Sequence, residues 1–245
     1  MSTPRLLPAL LTSLALLAAC GQGSPSSTST APTSQRAPGG LSGALTAGAE
    51  AAAAGETATP APAGAPVVLF LGDSLTAGYG LDGEHAYPAV VARRLEQEGL
   101  AAKVVNAGIS GDTTAGGLAR LDWLLRQEPA VVVVALGAND GLRGVPLDDT
   151  EGNLREIVRR SREAGARVVL AGMMLPPNYG PAYTQGFQAI FPKLAREQGV
   201  ALIPFLLEGV AAEPQLNLAD GIHPNAQGQK LVAETVLPYL HDALR

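Results

Sequence analysis

The chain is poor in the residues that build disulfide frameworks and metal sites. Its 245 residues include one cysteine and three histidines. That excludes an internal disulfide framework and leaves no ligand set for a structural zinc. Positive charge is also scarce. Seventeen Lys and Arg stand against 22 Asp and Glu, a net charge of −5, and no cluster forms the basic stripe that nucleic acid requires. No apolar run reaches the roughly 18–20 residues of a membrane span. What the chain does have is apolar: hydrophobic residues make up 47% and charged residues 16%, which excludes wholesale disorder. Its length allows one large domain or two small ones.

Three unlike stretches follow one another. Residues 1–19 read as a signal peptide. Arg5 is a small positive start, and Leu6 to Ala19 is a 14-residue apolar stretch, the length of a signal core and too short to span. It ends Leu17-Ala18-Ala19-Cys20, which resembles a bacterial lipobox, where cleavage precedes a cysteine that is then acylated. The chain's only cysteine falls where that motif needs it, and small polar residues follow from Gly21 to Ser29. The plainer alternative is an ordinary signal peptide beside a chance cysteine. Removing residues 1–19 removes Arg5 and takes the net charge from −5 to −6, so any membrane attachment must come from the lipid. Residues 21–65 are mostly Ala, Gly, Pro, Ser and Thr, with only Arg36, Glu50 and Glu56 charged. They read as a flexible tether with an end-to-end distance of about 37 Å. The expected setting is the bacterial cell envelope: an exported protein, anchored through Cys20.

Residues 66–245 carry the domain. Val67–Leu71 is a continuous apolar run of strand length ended by Gly72. Similar runs stand at Lys103–Val105, Ala130–Leu136, Val168–Ala171 and Val200–Ile203. Between and after them, helical spacing predicts helices at 87–99, 114–127, 150–164, 182–198 and 226–240. Strands apolar on both faces, alternating with helices, predict a doubly wound, flavodoxin-like α/β/α sandwich with about five parallel strands. Ligands in such sheets bind beyond the carboxyl ends of the strands, which turns attention to the segments that follow each strand.

Those segments are Gly72-Asp73-Ser74-Leu75-Thr76-Ala77-Gly78, then Asn106 to Thr113, then Gly137-Ala138-Asn139-Asp140-Gly141. Nearer the end stands Asp220-Gly221-Ile222-His223. The domain holds three serines, Ser74, Ser110 and Ser161, and three histidines, His85, His223 and His241. Ser161 falls on a helix read as an amphipathic surface helix. His241 lies among the last residues, and His85 has no adjacent orienting motif. Ser74 or Ser110 with His223 remains. Asp220, three residues before His223, can fix the ring tautomer and leave the other nitrogen free to take a proton from serine. Trp123, Met173 and Met174 read most simply as core. The Gly-x-Ser-x-Gly elbow of α/β-hydrolases is absent.

Taken together the four segments resemble the SGNH or GDSL hydrolase family, block by block and in order, over essentially all of 66–245. The likeness is nearest to the bacterial branch of thioesterase I/lysophospholipase L1 and arylesterase-like members. It implies Ser74 as nucleophile, His223 as general base and Asp220 as its orienter. It implies an oxyanion hole from the backbone N–H of Ser74, the backbone N–H of Gly111 and the Asn139 amide, with Asp73 and Asp112 bracing loops. The activity implied is hydrolysis of acyl esters or thioesters through an acyl-serine, without metal or cofactor. The apolar segment Met173 to Gly180 after the fourth strand reads as one wall of an acyl groove, with Met174, Leu175, Pro176 and Tyr179 touching substrate; plain core packing is the alternative. Expected partners are a small acyl ester or lysophospholipid and, through the anchor alone, a membrane; no nucleic acid is expected, and the protein is expected to be a monomer. Two other readings stand beside this one. One is a carbohydrate O-acetylesterase. The other is a ligand-binding lipoprotein with a phosphate turn at Gly72–Gly78, which leaves Asp220, His223 and Asn139 without a purpose.

Overall fold

Apolar runs pair side by side in the computed structural model, which describes residues 57–58 and 62–245. The expected signal peptide, Cys20 and most of the expected tether lie outside the described residues. A two-residue strand, β1 (Thr57–Ala58), is followed by β2 (Val67–Gly72), β3 (Lys103–Gly108), β4 (Val131–Ala135), β5 (Arg167–Ala171) and β6 (Ala201–Ile203). They lie side by side in the order β1-β3-β2-β4-β5-β6. All neighbours are parallel except β1, which runs antiparallel to β3 with Thr57 opposite Asn106 and Ala58 opposite Val105. The register sets Leu71 between Ala107 and Val134, so the strands that matter end level with one another.

The helices are α1 (Ser74–Ala77), α2 (Tyr87–Gln97), α3 (Thr114–Leu125), α4 (Ala138–Leu142), α5 (Leu147–Glu163), α6 (Pro181–Gln198) and α7 (Ala226–Leu244). α2 packs against α7, while α3, α5 and α6 pack in a row. These two groups cover the two faces of the sheet and complete the expected three layers. The strands are apolar on both faces because both faces are buried: every residue of β4, four Val and one Ala, is inaccessible. Burial of that kind contributes about 1.5–3 kcal/mol for each large apolar side chain.

Several details differ from the sequence reading, each for a tertiary reason. β3 runs through Asn106 to Gly108 instead of stopping at Val105. Asn106 is buried in the strand, where its amide donates to the Thr76 carbonyl (3.0 Å) and its Oδ1 accepts from Gly108 N–H (3.0 Å). The end of the expected tether contributes β1 to the sheet edge. α4 is a short helix that the helical spacing did not predict. α7 continues to Leu244, and His241 in its last turn pairs with Glu98 at 2.6 Å. Ser161 is fully buried on the inner face of α5 rather than at its surface. Trp123 is half exposed on α3, not core, and Met174 is 41% exposed; Met173 alone of the three is buried.

Candidate active site

Where β2 ends at Gly72, the chain turns sharply into α1. Asp73 caps that helix, its Oδ1 accepting the Leu75 N–H at 3.0 Å, so Ser74 becomes the first helical residue at a strand's carboxyl end. α1 then crosses directly over the end of β3. A Cβ on Gly108 would stand 2.3 Å from the Ala77 nitrogen, so only glycine admits the crossing. From the other side the buried Gln229 of α7 donates to the Leu75 carbonyl (3.2 Å) and accepts from the Tyr87 N–H (2.8 Å). The Tyr87 hydroxyl meets Thr76 Oγ1 at 2.9 Å. The serine is therefore held through buried bonds to partners far away in sequence.

His223 arrives differently. Its loop folds on itself: Leu218 N–H donates to the His223 carbonyl (2.8 Å) and Gly221 N–H to the Leu218 carbonyl (2.9 Å). Asp220 Oδ1 accepts from the N–H groups of Ile222 and His223, each at 3.0 Å. Its Oδ2 lies 2.8 Å from His223 Nδ1, and His223 Nε2 lies 2.9 Å from Ser74 Oγ. The Ile222 N–H and then the His223 ring hold the Asp220 carboxyl down at about 2. An ionised Asp220 accepts a hydrogen bond from Nδ1–H and keeps the proton there, which leaves the Nε2 lone pair facing the serine hydroxyl. Tyr79 lays its ring against the imidazole, centroids 4.5 Å apart. No short-range sequence pattern announces that contact.

Ser110, the other sequence candidate, is exposed on the turn after β3, and His223 reaches Ser74 instead. On that same turn Gly111 has φ +80°, and its carbonyl accepts from Arg143 Nη2 at 2.9 Å. Asn139, the second residue of α4, donates from Nδ2 to the Asp112 carbonyl (2.9 Å) and, at a longer 3.3 Å, to Asp73 Oδ2. Asp73 is 1% exposed, and that burial pushes its carboxyl up to about 6 against the pull of the Leu75 N–H. Asp112 is ion-paired to Arg120 (2.8 Å). Asp140 turns away from the cleft floor to bind Thr114 N–H at 2.9 Å, stitching α4 to α3. Among the described residues no group of three or more His, Cys, Asp or Glu is arranged to hold a metal ion.

Ser74, Asn139 and His223 open onto one cleft of about 440 Å³. Its walls are otherwise largely apolar and include Met174, Leu175, Pro176, Leu142, Phe205, Leu207 and Ile222. Three of the four expected substrate contacts are thus on the wall. Tyr179 is not: its hydroxyl donates to the Leu142 carbonyl at 3.0 Å, which ties two wall segments together. Phe205 and Leu207 escaped the sequence reading, although they follow β6 and the carboxyl-end rule points to that segment as well.

The sequence profile of the GDSL-like lipase/acylhydrolase family matches residues 70–231, a span that contains every cleft residue named above. The chain belongs to that family. It is 46% identical over 183 residues to the esterase TesA of Pseudomonas aeruginosa, covering 74% of this chain and 91% of the relative. It is 46% identical over 173 residues to the thioesterase 1/protease 1/lysophospholipase L1 of Escherichia coli, covering 70% and 82%. A crystal structure of TesA superimposes with a TM-score of 0.70 at 45% identity, covering 72% of this chain and 99% of that one. The chain is an ester-hydrolysing serine hydrolase of the α/β/α type.

Proposed function

We propose that this hydrolase cleaves carboxylic esters and thioesters of acyl chains, with Ser74 as nucleophile, His223 as general base and acid, and Asp220 as the group that orients it. The observation that carries the reading is the unbroken relay Asp220 Oδ2–His223 Nδ1 (2.8 Å) and His223 Nε2–Ser74 Oγ (2.9 Å), opening on an apolar cleft. In this reading Ser74 Oγ attacks the carbonyl carbon while its proton passes to Nε2. The resulting oxyanion accepts from the N–H groups of Ser74 and Gly111 and from the Asn139 amide, which exchanges its long bond to Asp73 for the substrate oxygen. Collapse expels the alcohol or thiol, protonated by His223. Water, deprotonated by His223, then releases the acid and frees Ser74. Esterase and thioesterase/lysophospholipase are the names carried by relatives at 46% identity, which supports an acyl substrate. The apolar walls argue against an O-acetylesterase, whose acetyl group has no use for so extensive an apolar lining.

A fluorophosphonate should label Ser74 and no other residue. Each methylene buried against the wall adds about 0.8 kcal/mol, roughly fourfold in kcat/KM when realised in the transition state. Across p-nitrophenyl esters, kcat/KM should therefore climb with chain length until the cleft is full. A steady fall from acetate onward contradicts the acyl cleft. The lipobox-like sequence supports placing the enzyme in the bacterial envelope on a lipidated Cys20. Cys20→Ser should release an active, soluble domain or leave the signal uncut, and wild-type protein recovered soluble with its N-terminus beyond Cys20 contradicts the anchor.

A further inference from the structure

The two backbone donors of the proposed oxyanion hole come from different loops. Ser74 follows β2 and Gly111 follows β3, and no hydrogen bond runs directly between these two residues among those described. Such donors work only when held to within about half an ångström of the productive position. The Ile109 N–H reaches the Gly72 carbonyl at 3.1 Å and Asn139 touches both sides, but the side chain with the most bonds across the gap is an arginine. Arg120 of α3 sends Nη2 to the Gly72 carbonyl (3.1 Å), two residues before Ser74, and Nη1 to the Ala107 carbonyl (2.7 Å). Its Nε and Nη2 both reach Asp112 Oδ2, at 2.9 and 2.8 Å, one residue after Gly111. Asp112 in turn passes its own carbonyl to the Asn139 amide.

We propose that Arg120 is the positioning residue of the oxyanion hole: one planar guanidinium fixes the spacing of all three donors. α3 is shaped for this. Gly116 stands one turn before Arg120, and a Cβ there would fall 1.9 Å from Asp112 Oδ1. The glycine is thus the opening through which the carboxylate reaches α3. The group is a clamp rather than a charge at the reacting centre, because Asp112 neutralises it and both side chains are mostly buried, 19% and 11% exposed. A flat fork with donors in fixed directions is needed, and lysine cannot replace it. This inference rests on the oxyanion assignment made above.

The test compares full-length wild type, Arg120→Lys and Arg120→Ala, with kcat expressed per serine titrated to endpoint by a fluorophosphonate. That normalisation removes any unfolded fraction. Displacing hydrogen-bond donors by part of an ångström should cost about 10–100-fold in kcat per titrated serine, with KM changed less than about threefold. Guanidinium ion at millimolar concentration, against a sodium chloride control, should restore part of the loss in Arg120→Ala and none in Arg120→Lys, whose ammonium fills the site. Wild-type kcat per titrated serine in Arg120→Lys overturns the proposal while leaving the triad standing. So does a loss seen only as fewer titratable serines. Failure of wild type to label at Ser74 sinks the catalytic assignment itself.

Discussion

Two carboxylates serve the same serine from opposite kinds of environment. Asp73, its neighbour, is sealed from water and held up at about 6 by burial. Asp220, one imidazole away, has a side chain 36% exposed and is held down at about 2 by N–H donors. The Ser74 side of the cleft is built from distant pieces through buried or part-buried bonds: Gln229 to Leu75, Asn106 to Thr76, Asn139 to Asp73. The His223 side is a short loop that satisfies itself. The lesson is that the framework of long-range bonds surrounds the proposed nucleophile, whereas the proposed proton carrier sits in a local turn.

The contrast can be broken from either side. The largest effect falls on the relay. Ser74→Ala and His223→Ala should each lose roughly 10³–10⁶ in kcat, and the double variant should be little worse than either single one; more than a tenth of wild-type activity in Ser74→Ala contradicts the assignment. Asp220→Asn comes next, at about 10²–10⁴-fold in kcat. Its amide oxygen can still take the Ile222 and His223 N–H groups, so the loop should keep its shape and the melting temperature should barely change. Its NH₂ group faces Nδ1, however, and forces the proton onto Nε2, where it opposes the serine.

Asp73→Asn tests the buried side, and here stability moves. The native carboxyl binds its proton more tightly than the unfolded one, about 6 against an ordinary 3.8. Asp73 therefore costs nothing well below pH 3.8, and its cost grows as pH rises through the window from 3.8 to 6. Above pH 6 the cost is complete, at most about 3 kcal/mol. Asp73→Asn should gain stability on wild type as pH rises from 4 to 7, while losing kcat because Asn139 now meets an amide in place of a carboxylate. Denaturant midpoints of the two proteins at both pH values check this, and a stability difference that does not change with pH contradicts it. The smallest effect belongs to Tyr79. Removing a ring stacked on His223 in Tyr79→Ala should cost about two- to tenfold in kcat/KM, and Tyr79→Phe should be close to wild type.

What could be read from the chain was local. The apolar runs of β2 and β4 announce buried parallel strands, and Asp220 with His223 three residues later is a motif that a loop can satisfy alone. What could not be read depends on partners far off in sequence. Nothing around Arg120 distinguishes it from a surface arginine until Gly72, Ala107 and Asp112 converge on it. Asn106 looks like a strand terminator, yet it continues β3 because Thr76 waits above it. Ser161 and Trp123 exchange their expected places because small offsets in helix phase decide which side of α5 and α3 faces the sheet. Tyr179 has the composition of a substrate contact and serves instead as a brace on Leu142.

The antiparallel edge strand sets the pole of the sheet at which the preceding chain joins the domain. Without β1, whatever precedes the sheet would leave from the amino end of β2, the pole remote from the cleft. With Thr57 opposite Asn106 and Ala58 opposite Val105, the chain descends along β3 before turning up into β2, so residue 57 stands level with Asn106, close to the pole that carries Ser74. Under the Cys20 anchor proposed above, a tether joined there draws the cleft toward the membrane, not away from it. Substrate embedded in that membrane would then be presented to the mouth of the enzyme.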